Sequence, residues 1–343
     1  MSRIASTRKQ LQLITTTAIA LTTLTGCLGP QGFAPGERLE RVGDEIVVAG
    51  QLFHTGAPVV LWMDKGGYDA YRVECKFDPE VMHPKRQKDP KPNRYSSVRG
   101  HLPEDVKADV QSNGWSLEEL QDHIDLFVIH YDVCGTSRQC FKVLHDLRGL
   151  SVQFMLDLDG TIYQTLDLKE RAWHAGSAND RSVGIEIANI GAYKNMDTLN
   201  KWYSKDEDGR PYVTLPKWMK KDGIKTPDYV ARPARDEPVK GNIQGTDLIQ
   251  YDLTDAQYES LIKLTATLNA ALPKIELDYP RNDDGTLRTV AFDEAEMADY
   301  SGVLGHYHVT KRKTDPGPAF DWDRVINGAS ELKRHCPVGE WGK

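Results

Sequence analysis

The chain has 343 residues, 39% hydrophobic and 27% charged, which is too apolar for a disordered protein and too polar for an integral membrane protein. Its 43 Lys and Arg against 50 Asp and Glu leave a net charge of −7, which argues against a nucleic-acid partner whose phosphates need neutralising. Beyond the N-terminal segment no stretch approaches the roughly 20 apolar residues that span a bilayer, which disfavours channels and transporters.

Arg3, Arg8 and Lys9 precede an uncharged, Thr-rich apolar run from Leu11 to Leu24, the pattern of an export signal. The run ends in Leu24-Thr25-Gly26-Cys27, which resembles the lipobox of bacterial lipoproteins. That resemblance implies removal of residues 1–26 and lipidation of Cys27, so that the chain is exported and held in the cell envelope by its lipid. Leu28 follows in place of an acidic retention residue, which favours an outer membrane, facing the periplasm, in a cell that has one. Loss of residues 1–26 removes three cations and no anions, moving the net charge from −7 to −10.

Residues 27–45 hold Gly29, Pro30, Gly32, Pro35 and Gly36 and read as a tether. Residues 46–119 read as an N-terminal extension, β-rich at Ile46-Val47-Val48 and Val59-Val60-Leu61-Trp62. Within it, residues 78–104 carry five prolines and many cations, which predicts an irregular, largely exposed segment. A short helix over Glu118–His123 leads into Ile124-Asp125-Leu126-Phe127-Val128-Ile129, a β-branched and aromatic run that predicts a buried strand. Cys140–Leu150 has helical spacing, with Phe141, Leu144 and Leu147 inward and Gly149 as the stop. Val152–Leu158 and Thr161–Thr165 predict strands joined by the Asp159-Gly160 turn, and Val183–Ala188 predicts another. Residues 193–250 lack a sustained period and read as a surface insertion. Thr254–Leu272 predicts an amphipathic helix capped by Thr254, with Leu261, Leu264 and Leu268 on its inner stripe. A main domain over residues 120–327 and a tail over 328–343 complete the organisation. The fold class is α/β, a mixed central sheet flanked by helices.

Four cysteines remain after Cys27, an even number in an exported chain and enough for two disulfides. Cys134 and Cys140 have five residues between them, room for a local bridged loop, which leaves Cys75 for Cys336.

Three segments bear chemistry. His130 stands at the carboxyl end of a predicted core strand, His306 and His308 follow Gly305, and Asp315 sits in Lys313-Thr314-Asp315-Pro316-Gly317-Pro318. Hydrolytic zinc takes about three ligands from His and Asp or Glu and leaves a position for water. His130, His306 and Asp315 can supply that set. Glu186 lies among aliphatic residues of a predicted strand, an unusual place for a carboxylate.

In order and spacing, Val128-Ile129-His130-Tyr131, Asp159 to Gln164, Arg171 to Gly176, Ser182 to Glu186 and Lys313 to Trp322 resemble the type 2 N-acetylmuramoyl-L-alanine amidases. The resemblance extends to peptidoglycan recognition proteins and covers roughly residues 120–327. It implies a Zn2+ site of His130, His306 and Asp315 and hydrolysis of the amide between the lactyl group of muramic acid and L-alanine. Glu186 would then be general base and proton donor, and Lys313 would stabilise the oxyanion. Trp173, His174 and Asn179 would line the substrate cleft, and Arg312 would meet a stem-peptide carboxylate. The expected partner is peptidoglycan or a muropeptide, with no nucleic acid, and the chain is expected to act as a monomer. A module that binds muropeptides without cutting them is the alternative on the same fold.

Two departures from the family pattern stand out. Where many relatives place an assisting tyrosine, this chain has Val152, which throws the proton transfer onto Glu186. The segment from His306 to Asp315 is one residue shorter than usual, so His306 or His308 could meet the metal. The Cys134–Cys140 spacing also resembles a disulfide of the recognition proteins.

Overall fold

The computed structural model describes residues 36–77, 95–219 and 221–335. Cys27, with the signal segment, and Cys336 lie outside the described residues. The chain divides into residues 1–41 and a second unit, Val42–Lys343, and every element below belongs to the second. Among the described residues no helix is long and apolar enough to cross a membrane.

The unit opens with an antiparallel hairpin of β1 (Glu45–Val48) and β2 (Gln51–His54), followed by β3 (Val59–Leu61). Helices α1 (Glu104–Asn113) and α2 (Leu117–His123) lead to β4 (Leu126–Tyr131). Ser116 and Glu119 cap α2 reciprocally, each side chain meeting the other's backbone N–H. Helix α3 (Ser137–Phe141) continues into a π-helical turn, Lys142–Arg148, closed by Gly149 in the left-handed region. Then come β5 (Phe154–Leu156), β6 (Ile162–Gln164) and β7 (Ser182–Ile187).

Four of these strands and a later one flank β4 in a single sheet of order β12-β4-β7-β5-β6-β3, where β12 is Gly302–Gly305. Neighbours run parallel throughout, except that β5 and β6 are antiparallel. The sheet is therefore mixed, as the sequence predicts. Both faces of β4 are covered, which is why it reads as an unbroken apolar run. Phe127 and Ile129 face the main core with Leu261, Leu264, Leu268 and Val325, while Leu126 and Val128 face a second cluster with Leu304.

The main core is closed by α5 (Asp255–Ala271), whose Thr254 and Gln257 form the capping box that the sequence places at Thr254. Burying each of its three inner leucines is worth about 1.5–3 kcal/mol. The segment before α5, read as a surface insertion, holds a short helix, α4 (Leu199–Trp202), and two hairpins. These are β8 (Tyr203–Lys205) with β9 (Pro211–Val213), and β10 (Val239–Ile243) with β11 (Thr246–Gln250). After α5 come α6 (Glu294–Asp299), β12, α7 (His306–Val309) and α8 (Trp322–His335). Helix α8 packs against α5 and runs past residue 327, where the sequence suggested a tail.

Two expectations are corrected by packing. The π-helical turn shifts the inner face, so His145 and Asp146 are buried with Leu144 while Leu147 is only half-buried. Arg99, from the stretch read as irregular and exposed, is 2% exposed. Its guanidinium donates to the carbonyls of Leu168, Glu170, Asn179, Asp180 and Ser182. Five carbonyl acceptors replace the water that a buried cation loses.

Candidate active site

Parallel strands leave their carboxyl ends on one side of the sheet, the usual place for a ligand crevice in α/β folds. His130 is the penultimate residue of β4, Glu186 lies opposite it in register on β7, and His306 follows the last residue of β12. The sheet thus brings together residues far apart in the chain. Asp315 joins them from the loop after α7, where its carbonyl accepts from the Tyr307 N–H at 3.1 Å. Tyr131 and Thr314 hydroxyls, 2.6 Å apart, tie the end of β4 to the same loop.

Nδ1 of His130 lies 2.8 Å from Asp315 Oδ2, and Nδ1 of His306 lies 3.0 Å from the same oxygen. The two imidazoles are 4.4 Å apart at a steep angle of 73°. All three side chains are buried, with one donor atom of each within 4.8 Å of the others. Burial, with His306 beside it, pushes His130 down to about 4, so the ring is neutral near pH 7. Burial opposes ionisation of Asp315, but hydrogen bonds from His130 and His306 outweigh it and hold the carboxyl well below its ordinary range. Two imidazoles and one carboxylate, converging and shielded from water, fit the donor set of a hydrolytic zinc ion.

His308 is excluded from this set. Its Nδ1 accepts from the Gly305 N–H at 2.9 Å and its Nε2–H donates to the Arg288 carbonyl at 2.8 Å. Both ring nitrogens are thus occupied by backbone, and burial pushes the ring down to about 3.

Burial, then the charges of Asp315 and Asp132, raises Glu186 well above the ordinary glutamate value. Its side chain lines a cavity of about 510 Å³ together with His130, His306 and Asp315. Trp173, His174, Arg312 and Lys313 line the same cavity. His174 also touches the cluster, its Nδ1 lying 3.0 Å from His130 Nε2. The family-like Gly184 permits this, since a Cβ there would stand 2.5 Å from the His174 ring. Lys313 and Arg312 are exposed at the rim. Val152 is wholly buried in the core and brings no polar group to the cavity.

Two expectations change here. Asn179 does not line the cleft: its Oδ1 accepts from the N–H groups of His174 and Ala175 at 3.1 and 2.7 Å, fixing the loop that carries Trp173. Cys134 and Cys140 are free thiols in contact, not a disulfide. Burial raises the Cys140 thiol well above its ordinary value, suppressing the thiolate that disulfide formation needs. The Cys75 Sγ is directed at the Asp146 carbonyl, 3.7 Å away.

Sequence reasoning missed Asp132, Arg148, Trp202 and Trp218, all of which line the cavity. Asp132 caps the loop after β4, its Oδ1 accepting from the N–H groups of Cys134, Gly135 and Asn189. The tryptophans carried a usable signal: large aromatic residues inside a polar insertion call for something to cover them.

A family model described as N-acetylmuramoyl-L-alanine amidase matches residues 120–318. The chain is 27% identical over 176 residues to the 1,6-anhydro-N-acetylmuramyl-L-alanine amidase AmpD of Salmonella typhimurium LT2, covering 51% of this chain and 54% of that one. To AmpD of Escherichia coli K12 it is 25% identical over 184 residues, covering 51% and 56%. The chain spans about half the length of the curated relatives it matches. Among solved structures, AmiD of E. coli in complex with an anhydro-N-acetylmuramic acid peptide aligns with a TM-score of 0.34 at 19% identity, covering 64% of this chain and 60% of that one.

Proposed function

The chain belongs to the N-acetylmuramoyl-L-alanine amidase family, and we propose that it hydrolyses the amide between the lactyl group of N-acetylmuramic acid and L-alanine in peptidoglycan or its fragments. The observation that carries this reading is the convergence of His130, His306 and Asp315 beside Glu186 in one cavity. We further propose that these three residues hold zinc. When bound, zinc supplies the Lewis acidity that polarises an amide carbonyl and acidifies a water molecule.

The chain's own groups supply the remainder. The Glu186 carboxylate takes a proton from the attacking water, whose oxygen bonds to the carbonyl carbon. The same proton then passes from Glu186 to the amide nitrogen as the C–N bond breaks, giving a lactyl carboxylic acid and the free amine of L-alanine. Its elevated pKa suits it to both halves of that transfer. Lys313, at the rim of the cavity, donates to the carbonyl oxygen as negative charge builds there. Asp132 fixes the loop after β4 through the N–H groups of Cys134, Gly135 and Asn189. We propose also that the enzyme is exported and anchored through Cys27, a reading supported by the charged start and apolar run before that cysteine.

Mass spectrometry of purified muropeptides after incubation tests the activity. Release of free stem peptide, abolished by a chelator and restored by zinc, is the expected result. Intact muropeptides with fully zinc-loaded protein would overturn it and favour the binding module.

A further inference from the structure

Asp132, Cys134 and Cys140 bring a second set of metal-ligating groups together, and it shares no residue with the cluster of His130, His306 and Asp315. One donor atom of each, a carboxylate oxygen and two sulfurs, lies within 4.8 Å of the others. None of the three carries a step of the amide hydrolysis proposed above. All three line the wall of the cavity, which gives an ion from solvent a way in.

Local structure holds these groups in place. Val133 and Gly135, with φ of +53° and +81°, turn the chain sharply after β4. The Asp132 N–H donates to the Ile187 carbonyl at 3.0 Å, while Oδ1 accepts from the N–H groups of Cys134, Gly135 and Asn189 at 2.8, 3.1 and 3.2 Å. Beyond the turn, the Thr136 hydroxyl accepts from the Gln139 N–H at 3.3 Å and its carbonyl from the Cys140 N–H at 2.9 Å. Helix α3 thus starts at once and returns the Cys140 thiol to the Cys134 thiol. Asp132 spends only one carboxylate oxygen on this loop. The other, Oδ2, is buried and has no hydrogen-bond partner among the described residues. An orphaned buried oxygen beside two thiols calls for a ligand that meets all three.

The donor types select the ligand. Thiolate sulfur prefers soft or borderline metals and disfavours calcium and magnesium, which take oxygen. With metal–sulfur bonds of about 2.3 Å and metal–oxygen bonds of about 2.0–2.2 Å, tetrahedral ligands stand roughly 4 Å apart or less, so little movement closes the set. We propose that Asp132, Cys134 and Cys140 bind a thiophilic divalent ion, of the zinc and cadmium class, at a site separate from the His130 cluster. Binding exchanges the two thiol protons for the ion's two positive charges, forming two metal–sulfur bonds and one bond to Asp132. The fourth position faces the cavity and takes water. The site does not rest on the amidase reading, because it uses none of the groups assigned to the reaction.

The test titrates the full chain with Cd2+ and follows the ultraviolet charge-transfer band of cadmium–thiolate bonds, to which imidazole and carboxylate ligands contribute nothing. In wild type the band should saturate, and it should persist in His130→Ala. Cys134→Ser should lose half of the band or more and bind one ion fewer per chain. Asp132→Asn keeps an oxygen for the loop N–H groups but removes the charge, and should weaken binding by at least the roughly 10–100-fold typical of a damaged ligand shell. A wild type that shows no band, one whose two thiols are found joined as a disulfide, or a band that survives Cys134→Ser in full overturns the site. A band that forms while the His130 cluster takes up no metal would uphold this site and reject the zinc assignment there, so the two readings fail separately.

Discussion

His130 and Glu186 are paired residues on adjacent parallel strands, β4 and β7, so a cluster residue and a carboxylate are fixed side by side by sheet register alone. A one-residue slip would turn Glu186 to the opposite face and Ile185 or Ile187 into its place. Glu186 is therefore held by backbone geometry, and its chemistry can be removed without disturbing the cluster. Glu186→Gln should reduce turnover by roughly 10²–10⁴-fold while metal content stays at that of wild type. Turnover within about threefold of wild type would make the strand glutamate structural.

The two histidines of α7 should separate cleanly in metal analysis. His130→Ala and His306→Ala should each lose zinc. His308→Ala should keep it but lose about 1–3 kcal/mol of stability, because the Gly305 N–H and the Arg288 carbonyl lose their partner. Urea unfolding followed beside zinc content checks both halves.

His308 also gives the stability a pH dependence of known sign. Its folded value is down at about 3, against about 6.5 for an unfolded histidine. Between those values the unfolded chain binds a proton that the folded chain refuses. Stability from this group is thus complete above about pH 6.5 and lost as pH falls toward 3. From pH 6.5 to 4.5 the loss should reach about 2–3 kcal/mol. Urea midpoints measured across that range should fall for wild type and fall less for His308→Gln.

Asn179 holds a loop and lies outside the cavity lining, so its loss should register in stability. Asn179→Ala removes two backbone hydrogen bonds, worth about 1–3 kcal/mol together. The denaturant midpoint reads that change directly.

The thiol pair makes a chemical prediction. Cys140 is buried and its thiol is raised well above the ordinary value, so iodoacetamide should leave it unlabelled in the native chain at pH 8. Labelling should become complete in denaturant without any reductant. A requirement for reductant would show a Cys134–Cys140 bridge.

Much of the site could be read from sequence because its parts obey short-range rules. The strand that carries His130 begins as an unbroken apolar run, and the helix after the insertion announces itself through Thr254 and its leucine stripe. What could not be read depends on distant partners. His306 and His308 share one helical turn, and the carbonyl of Arg288 together with the Gly305 N–H assigns the second to structure. The strands of the insertion's hairpins are short and mix buried, half-buried and exposed positions, so they carry little periodic signal. Arg99 reads as a surface cation until five carbonyls from residues 168–182 surround it.

That cradle bears on where the catalytic unit begins. Recognisable family sequence starts at residue 120, yet Arg99 and β3 both lie before it. A fragment cut at residue 120 would strip β3 from β6, baring the edge of the main sheet, and would take the Arg99 guanidinium away from five inward-facing carbonyls. Such a fragment would be sticky at one side and hollow beneath the loop that carries Trp173. The upstream stretch is thus an internal chaperone that never leaves, and the smallest portion able to stand alone reaches back to the first hairpin.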